Sequence, residues 1–145
     1  MTRKEEKQLL RRAVRAAERA LPQDYQKQSS ASICRYLSAM PEYLEAGAVF
    51  CFVGTGLEID TRPFLLDALA RGKRLCVPLC VGDGLMELRQ ITGLDQLRPG
   101  AYGIPEPGPD APSVSLDEVD FAVIPCLSCD HLGRRLGRGG GFYDR

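Results

Sequence analysis

Residues 47–54 read GAVFCFVG, an uncharged run closed at each end by glycine. Its apolar character is continuous rather than alternating, so it reads as a strand buried on both faces. Two more runs share that character: KRLCVPLC at 73–80 and DFAVIPCLSCD at 120–130, punctuated by Pro78 and Pro125. Strands of this kind belong to a sheet covered by other layers. Between the first two runs, Phe64, Leu65, Ala68 and Leu69 form a helical stripe. Thr61 or Asp60 would cap that helix, Pro63 fits its first turn and Gly72 stops it. Strand, helix and strand in succession imply a parallel crossover. The expected fold is α/β and three-layered, with a mainly parallel central sheet and helices on both faces.

Two helices precede this unit. In residues 4–21, Leu10, Ala13, Val14, Ala17 and Leu21 recur at helical steps, and Lys4, Lys7, Arg11 and Arg15 mark a basic stripe. Pro22 ends that helix. Asp24 can cap a second one, with Ile33, Leu37 and Met40 inward and Pro41 at its end. After the second strand, LMELRQI at 85–91 alternates and suits an edge strand. Residues 98–112 carry so many prolines and glycines that an irregular, functional loop is expected. Residues 116–119 suit a short turn. All 145 residues are read as one domain.

Lys plus Arg and Asp plus Glu both number 19, so no global basic field recruits nucleic acid or membrane. No apolar run approaches the roughly 20 residues of a membrane span. The charged N-terminus lacks a signal-peptide core, and a cytoplasmic location is expected. Among the cysteines, Cys51, Cys76 and Cys126 sit in apolar runs and read as buried filler. Cys126 and Cys129 also have C-x-x-C spacing, but no second ligand pair accompanies them and His131 is the only histidine. Reduced strand-end cysteines are the expectation, with a metal or redox site as the alternative.

Parallel sheets bind ligands beyond the carboxyl ends of their strands. Three segments would fall there: the loop with Glu58, the loop after Pro78, and RRLGRGGGFYDR at 134–145. In the last, Gly137, Gly139, Gly140 and Gly141 permit close backbone approach, and their N–H groups can form an anion nest. Arg134, Arg135 and Arg138 offer fork-shaped donors to phosphate, and Asp144 can hold magnesium on the same phosphates. Neither a Walker loop nor a dinucleotide fingerprint is present. A nucleotide polyphosphate site, a solvated tail and an RGG-type RNA segment are the open readings. Glu58 is either a surface carboxylate or an acceptor for ring N–H groups of a ligand. Tyr102 and Glu106 are either loop residues or a stacking surface and a polar contact.

RLGRGGGFYDR at 135–145 resembles the signature of the 5-formyltetrahydrofolate cyclo-ligase (methenyltetrahydrofolate synthetase) family. KQLLR at 7–11, EIDTRPFLLDALARGKRLCVP at 58–78 and YGIPEP at 102–107 extend the resemblance in order. It implies an α/β fold related to the sugar-phosphate isomerase and CoA-transferase type. It also implies ATP- and magnesium-dependent cyclisation of 5-formyltetrahydrofolate to 5,10-methenyltetrahydrofolate, releasing ADP and phosphate through a phosphorylated formyl intermediate. By the same resemblance, ATP would be held by Lys7, Gln8, Leu9, Leu10 and Arg11, and by Arg135, Leu136, Gly137, Arg138, Gly139, Gly140, Gly141, Phe142 and Tyr143. The folate would meet Val53, Glu58, Tyr102, Arg138, Gly139, Gly140, Gly141 and Phe142. Asp144 would bind the metal, and Arg138 and Lys7 would be catalytic. Family members continue for roughly a quarter as much chain again beyond this signature, still within one domain's size range. A truncated form is therefore expected, monomeric like the family or dimeric through the apolar flank beside residues 120–129. Nucleotide or folate binding without turnover is the alternative function.

Overall fold

The computed structural model describes residues 1–100, 103–138 and 143. Four helices are α1 (Arg3–Arg19), α2 (Gln23–Ala39), α3 (Pro41–Glu45) and α4 (Arg62–Ala70). The main sheet contains β1 (Ala48–Cys51), β2 (Arg74–Gly82), β3 (Leu85–Ile91), β6 (Ser113–Val114) and β7 (Phe121–Val123), in the order β6-β3-β2-β1-β7. Strands β4 (Leu97–Pro99) and β5 (Pro105–Pro107) form one small hairpin; β8 (Ser128–Cys129) and β9 (Arg135–Leu136) form another.

The sheet is mixed rather than mainly parallel along its whole width. β1 pairs in parallel with β2 and with β7, as the buried apolar runs require. β2 continues past Pro78 into a tight antiparallel hairpin with β3. The loop expected after Pro78 is therefore strand. β3 is only partly an edge, because β6 covers Leu88 and Arg89.

Alternation along the strands separates two apolar faces. Val49, Cys51, Leu75 and Val77 face Cys34 of α2, Tyr43 of α3 and Phe64, Leu65 and Ala68 of α4. Phe50 and Cys76 face Val114, Met86, Leu88, Val119 and Tyr143. Among the described residues, that second face is covered by strand and loop side chains, which departs from the expected helices on both faces. Helix α1 has no buried residue, so the stripe from Leu10 to Leu21 is not a core face.

Several expected features settle differently in three dimensions. Thr61 is 1% exposed, and its hydroxyl donates to the Phe52 carbonyl (2.9 Å) and accepts from Gly54 N (3.1 Å). It thus ties α4 to the end of β1, and the Asp60 carboxylate accepts from Arg62 N instead (3.1 Å). Gly54 is obligatory here: a Cβ would lie 1.8 Å from the Ile59 carbonyl oxygen. Helix α2 begins at Gln23 after Pro22, with Asp24 in its first turn rather than at its cap, and Pro41 opens α3. Ile33 is 38% exposed rather than inward. Residues 98–112 are not wholly irregular, since they contain β5 and the end of β4. The turn expected at 116–119 is one 3-10 turn, Leu116–Glu118, with a capping box at Ser115. Within the third apolar run the main-sheet strand covers only Phe121–Val123; the chain then leaves the sheet, bends at Leu127 and enters β8 at Ser128. Cys51 and Cys76 are buried as expected, but Cys126 is exposed, because it lies three residues past the end of β7 at Val123.

Candidate active site

The end of α1, one side of α2, the loop after β1 and the chain leaving β7 enclose a cleft of about 540 Å³. Its walls include Arg15, Tyr25, Ile33, Phe52, Glu58 and Arg138. Phe52 follows β1 and Ile124 to Leu127 follow β7, so the cleft opens at the carboxyl ends of the parallel strands.

Two long-range contacts bring the basic stripe of α1 to the start of the glycine loop. Arg11 Nε donates to the Gly137 carbonyl (2.8 Å) and Arg15 Nη2 to the Arg138 carbonyl (3.2 Å). The partners are 126 and 123 residues apart in the chain. Lys7 lies one helical turn before Arg11, is exposed, and makes no hydrogen bond or ion pair among the described residues. Gln8, Leu9 and Leu10 are exposed on the same helix.

Arg138 Nη1 approaches Glu58 Oε1 at 3.3 Å. The same Oε1 accepts from Thr55 N (3.1 Å) and Thr55 Oγ1 (3.4 Å). The two hydrogen bonds from Thr55 and the nearest approach of Arg138 all meet Oε1.

The hairpin before the loop is firmly tied. Arg135 donates from Nη2 (2.8 Å) and Nε (3.2 Å) to the Pro125 carbonyl and lies over the Tyr143 ring, 5.8 Å from its centroid. Leu136 accepts from Leu127 N (2.8 Å). Tyr143 packs on Phe50, and burial, reinforced by the nearby Glu58 charge, pushes its hydroxyl well above the ordinary tyrosine range. It is therefore a neutral packing group at the back of the site.

Val53 is 7% exposed within the core, and Phe52 lines the cleft in its place. Glu106 is 7% exposed and accepts from Cys80 N; a Cβ at Gly100 would overlap its carboxylate. It fastens β5 to β2 rather than facing the cleft. Tyr102, Gly139, Gly140, Gly141, Phe142 and Asp144 lie outside the described residues. Among the described residues there is no cluster of three or more potential metal ligands, and no helix is long and apolar enough to cross a membrane. The apolar wall from Tyr25, Ile33 and Leu57 was not read from the sequence, where these residues sit in a polar helix and a short loop.

A profile of the 5-formyltetrahydrofolate cyclo-ligase family matches residues 3–145. The chain belongs to that family. A Schizosaccharomyces pombe protein named "Probable 5-formyltetrahydrofolate cyclo-ligase" is 30% identical over 119 residues, covering 79% of this chain and 58% of the yeast protein. The 5-formyltetrahydrofolate cyclo-ligase of Mycolicibacterium smegmatis is 30% identical over 146 residues, covering 96% of this chain and 73% of that one. The solved structure of Aquifex aeolicus 5,10-methenyltetrahydrofolate synthetase superposes with a TM-score of 0.85 at 29% identity, covering 96% of this chain and 70% of that one. The chain thus spans just over half of the yeast relative and about three quarters or less of the others. The cleft lies where α1 meets Gly137 and Arg138.

Proposed function

We propose that this cyclo-ligase family member converts 5-formyltetrahydrofolate to 5,10-methenyltetrahydrofolate, with ATP becoming ADP and phosphate. The observation that carries the reading is the docking of Arg11 and Arg15 onto the carbonyls of Gly137 and Arg138, at the wall of a cleft that also holds Glu58. Each of these arginines spends part of its donor set on a carbonyl, and the rest remains suited to phosphate oxygens.

The chemistry needs positioning and charge neutralisation more than a protein nucleophile. The formyl oxygen attacks the γ-phosphorus, and its bond to ADP breaks. Atom N10 then attacks the activated formyl carbon and gives up its proton to solvent, and phosphate leaves as the five-membered ring closes. In this reading Arg138, paired with Glu58, contacts both the phosphoryl group and the formyl oxygen. Lys7 extends the basic stripe toward the phosphates, with Gln8, Leu9 and Leu10 beside it on α1. Arg135, Leu136, Gly137 and Tyr143 support the loop. In this reading Glu58 accepts pterin N–H groups. Gly139, Gly140, Gly141, Phe142 and Tyr102 complete the ligand contacts in this reading, and Val53 backs the wall from inside.

The described residues do not by themselves make a magnesium site. Magnesium enters this reading with the phosphates of ATP, and Asp144 is the carboxylate the family motif offers. A cytoplasmic location is part of the same reading.

The test is the appearance of methenyltetrahydrofolate by its near-ultraviolet absorbance. Product is expected only when ATP and magnesium are both present. Product without ATP refutes the ligase chemistry, and tight substrate binding without product under full conditions replaces it with a binding function.

A further inference from the structure

Glu58 and Arg138 serve different ligand groups in the proposed reaction, pterin N–H donors for one and the phosphoryl group for the other. In the structure they are each other's partners, with Arg138 Nη1 3.3 Å from Glu58 Oε1. The two sides of this pair are held differently. Glu58 sits in a turn closed by its own N–H on the Thr55 carbonyl (3.1 Å). Its carboxylate accepts from Thr55 N and Thr55 Oγ1, and its side chain is only 15% exposed. Arg138 is fastened through its backbone: Arg15 donates to its carbonyl and Arg11 to the carbonyl of Gly137 before it. Its side chain is 46% exposed, so the guanidinium can turn away while those backbone bonds stay in place.

A largely buried carboxylate is penalised when it loses a charged partner and gains no other donor. A phosphate that draws Arg138 away meets that penalty. A folate whose N–H groups take Glu58 meets it too, because those groups compete with Arg138 for the same carboxylate. With both ligands present, the pair is broken once and each ligand is relieved of half the task. Resting on the cyclo-ligase reading, we propose that the Arg138–Glu58 pair couples the two ligands, so that 5-formyltetrahydrofolate and the nucleotide each strengthen the binding of the other. The folate satisfies Glu58 and releases the guanidinium to the phosphates; the phosphates draw the guanidinium and bare Glu58 to the folate. The coupling is reciprocal, as linkage requires.

Calorimetric titration with the magnesium complex of adenylyl imidodiphosphate, whose β–γ bridge resists cleavage, tests this without turnover. Saturating 5-formyltetrahydrofolate should tighten nucleotide binding to the native chain by about five- to tenfold, at the low end for coupled sites, and the nucleotide should tighten folate binding by the same factor. Glu58→Gln should tighten nucleotide binding by a similar factor with no folate added, because Arg138 is no longer held. In an Arg138→Gln background the same Glu58→Gln change should bring no gain. Equal nucleotide affinity with and without folate in the native chain overturns the proposal. So does a Glu58→Gln gain that persists in the Arg138→Gln background, which is the removal of a charge rather than the release of a partner. A native chain that binds no nucleotide overturns the ligase reading and this inference together. Reciprocal tightening in a chain that makes no methenyltetrahydrofolate from ATP supports the coupling and overturns the ligase reading alone.

Discussion

Around Phe64, side chains from α3, α4, β1 and β2 exclude water, with Tyr43, Phe64, Leu65, Leu75 and Val77 all fully buried. Helix α1 meets the rest of the molecule differently. It buries no side chain, and two arginines reach across to backbone carbonyls of the glycine loop. The first region is held by apolar contact and by fixed hydrogen bonds such as Tyr43 to Asp67 (2.6 Å). Burial and that bond push the Tyr43 hydroxyl far above its usual range; Asp67 is held low by Tyr43 and Arg71, against burial that would raise it. The second region is polar, solvated and rich in unspent donors. Stability should therefore reside in the first region and ligand response in the second.

The largest effect should come from cutting into the first region. Phe64 is fully buried and stacks at 4.8 Å on Tyr43. Phe64→Ala should lower unfolding free energy by about 3–5 kcal/mol, the range for a buried aromatic. Urea unfolding measures this, and the midpoint should fall while the slope stays the same. A loss under about 1 kcal/mol would mean that the unit relaxes around the cavity and is less tightly packed than its burial implies.

Arg138→Ala should give the converse pattern. Its ion pair with Glu58 is half-exposed on the arginine side, so little stability rests on it. The carbonyl that Arg15 uses is backbone and survives the substitution. Under the proposed reaction, kcat/KM should fall by about two orders of magnitude, because a charge-assisted phosphate contact is worth about 1.5–3 kcal/mol and gains in the transition state. Equal losses in stability and kcat/KM would make Arg138 structural and erase the contrast between the regions.

The same contrast explains what could be read from the sequence. The β1–α4–β2 unit was legible because continuous apolar runs and a helical stripe report burial directly. Its internal fastening was not: Thr61 looks like a helix cap, yet its hydroxyl serves Phe52 and Gly54. The glycine loop and the basic stripe were visible as chemistry, but not their meeting, since nothing in local periodicity links Arg11 to Gly137. Cys126 was misread as core because the apolar run around it continues past the end of β7 at Val123. The alternation that places Phe50 on the other face of the sheet, against Tyr143, likewise needed the register.

The smallest expected effect lies where the buried unit begins. Asp120 Oδ2 accepts from Ala48 N (3.0 Å) and Gly47 N (2.9 Å), and these bonds hold its carboxyl below the usual carboxylate range. A depressed folded-state pKa stabilises above the unfolded value and loses that contribution as pH falls through the folded value. The unfolded value is about 3.9. Asp120→Asn keeps an acceptor of similar shape but removes the charge. The urea midpoints of the two proteins should therefore differ by a small, constant amount between about pH 5 and 7, well above the unfolded carboxylate value. The difference should shrink below about pH 4 and vanish once Asp120 is protonated in the folded state, since both side chains are then neutral. A difference that persists at low pH would assign the effect to the shape of the amide, and the charge of Asp120 would not be what secures the start of β1.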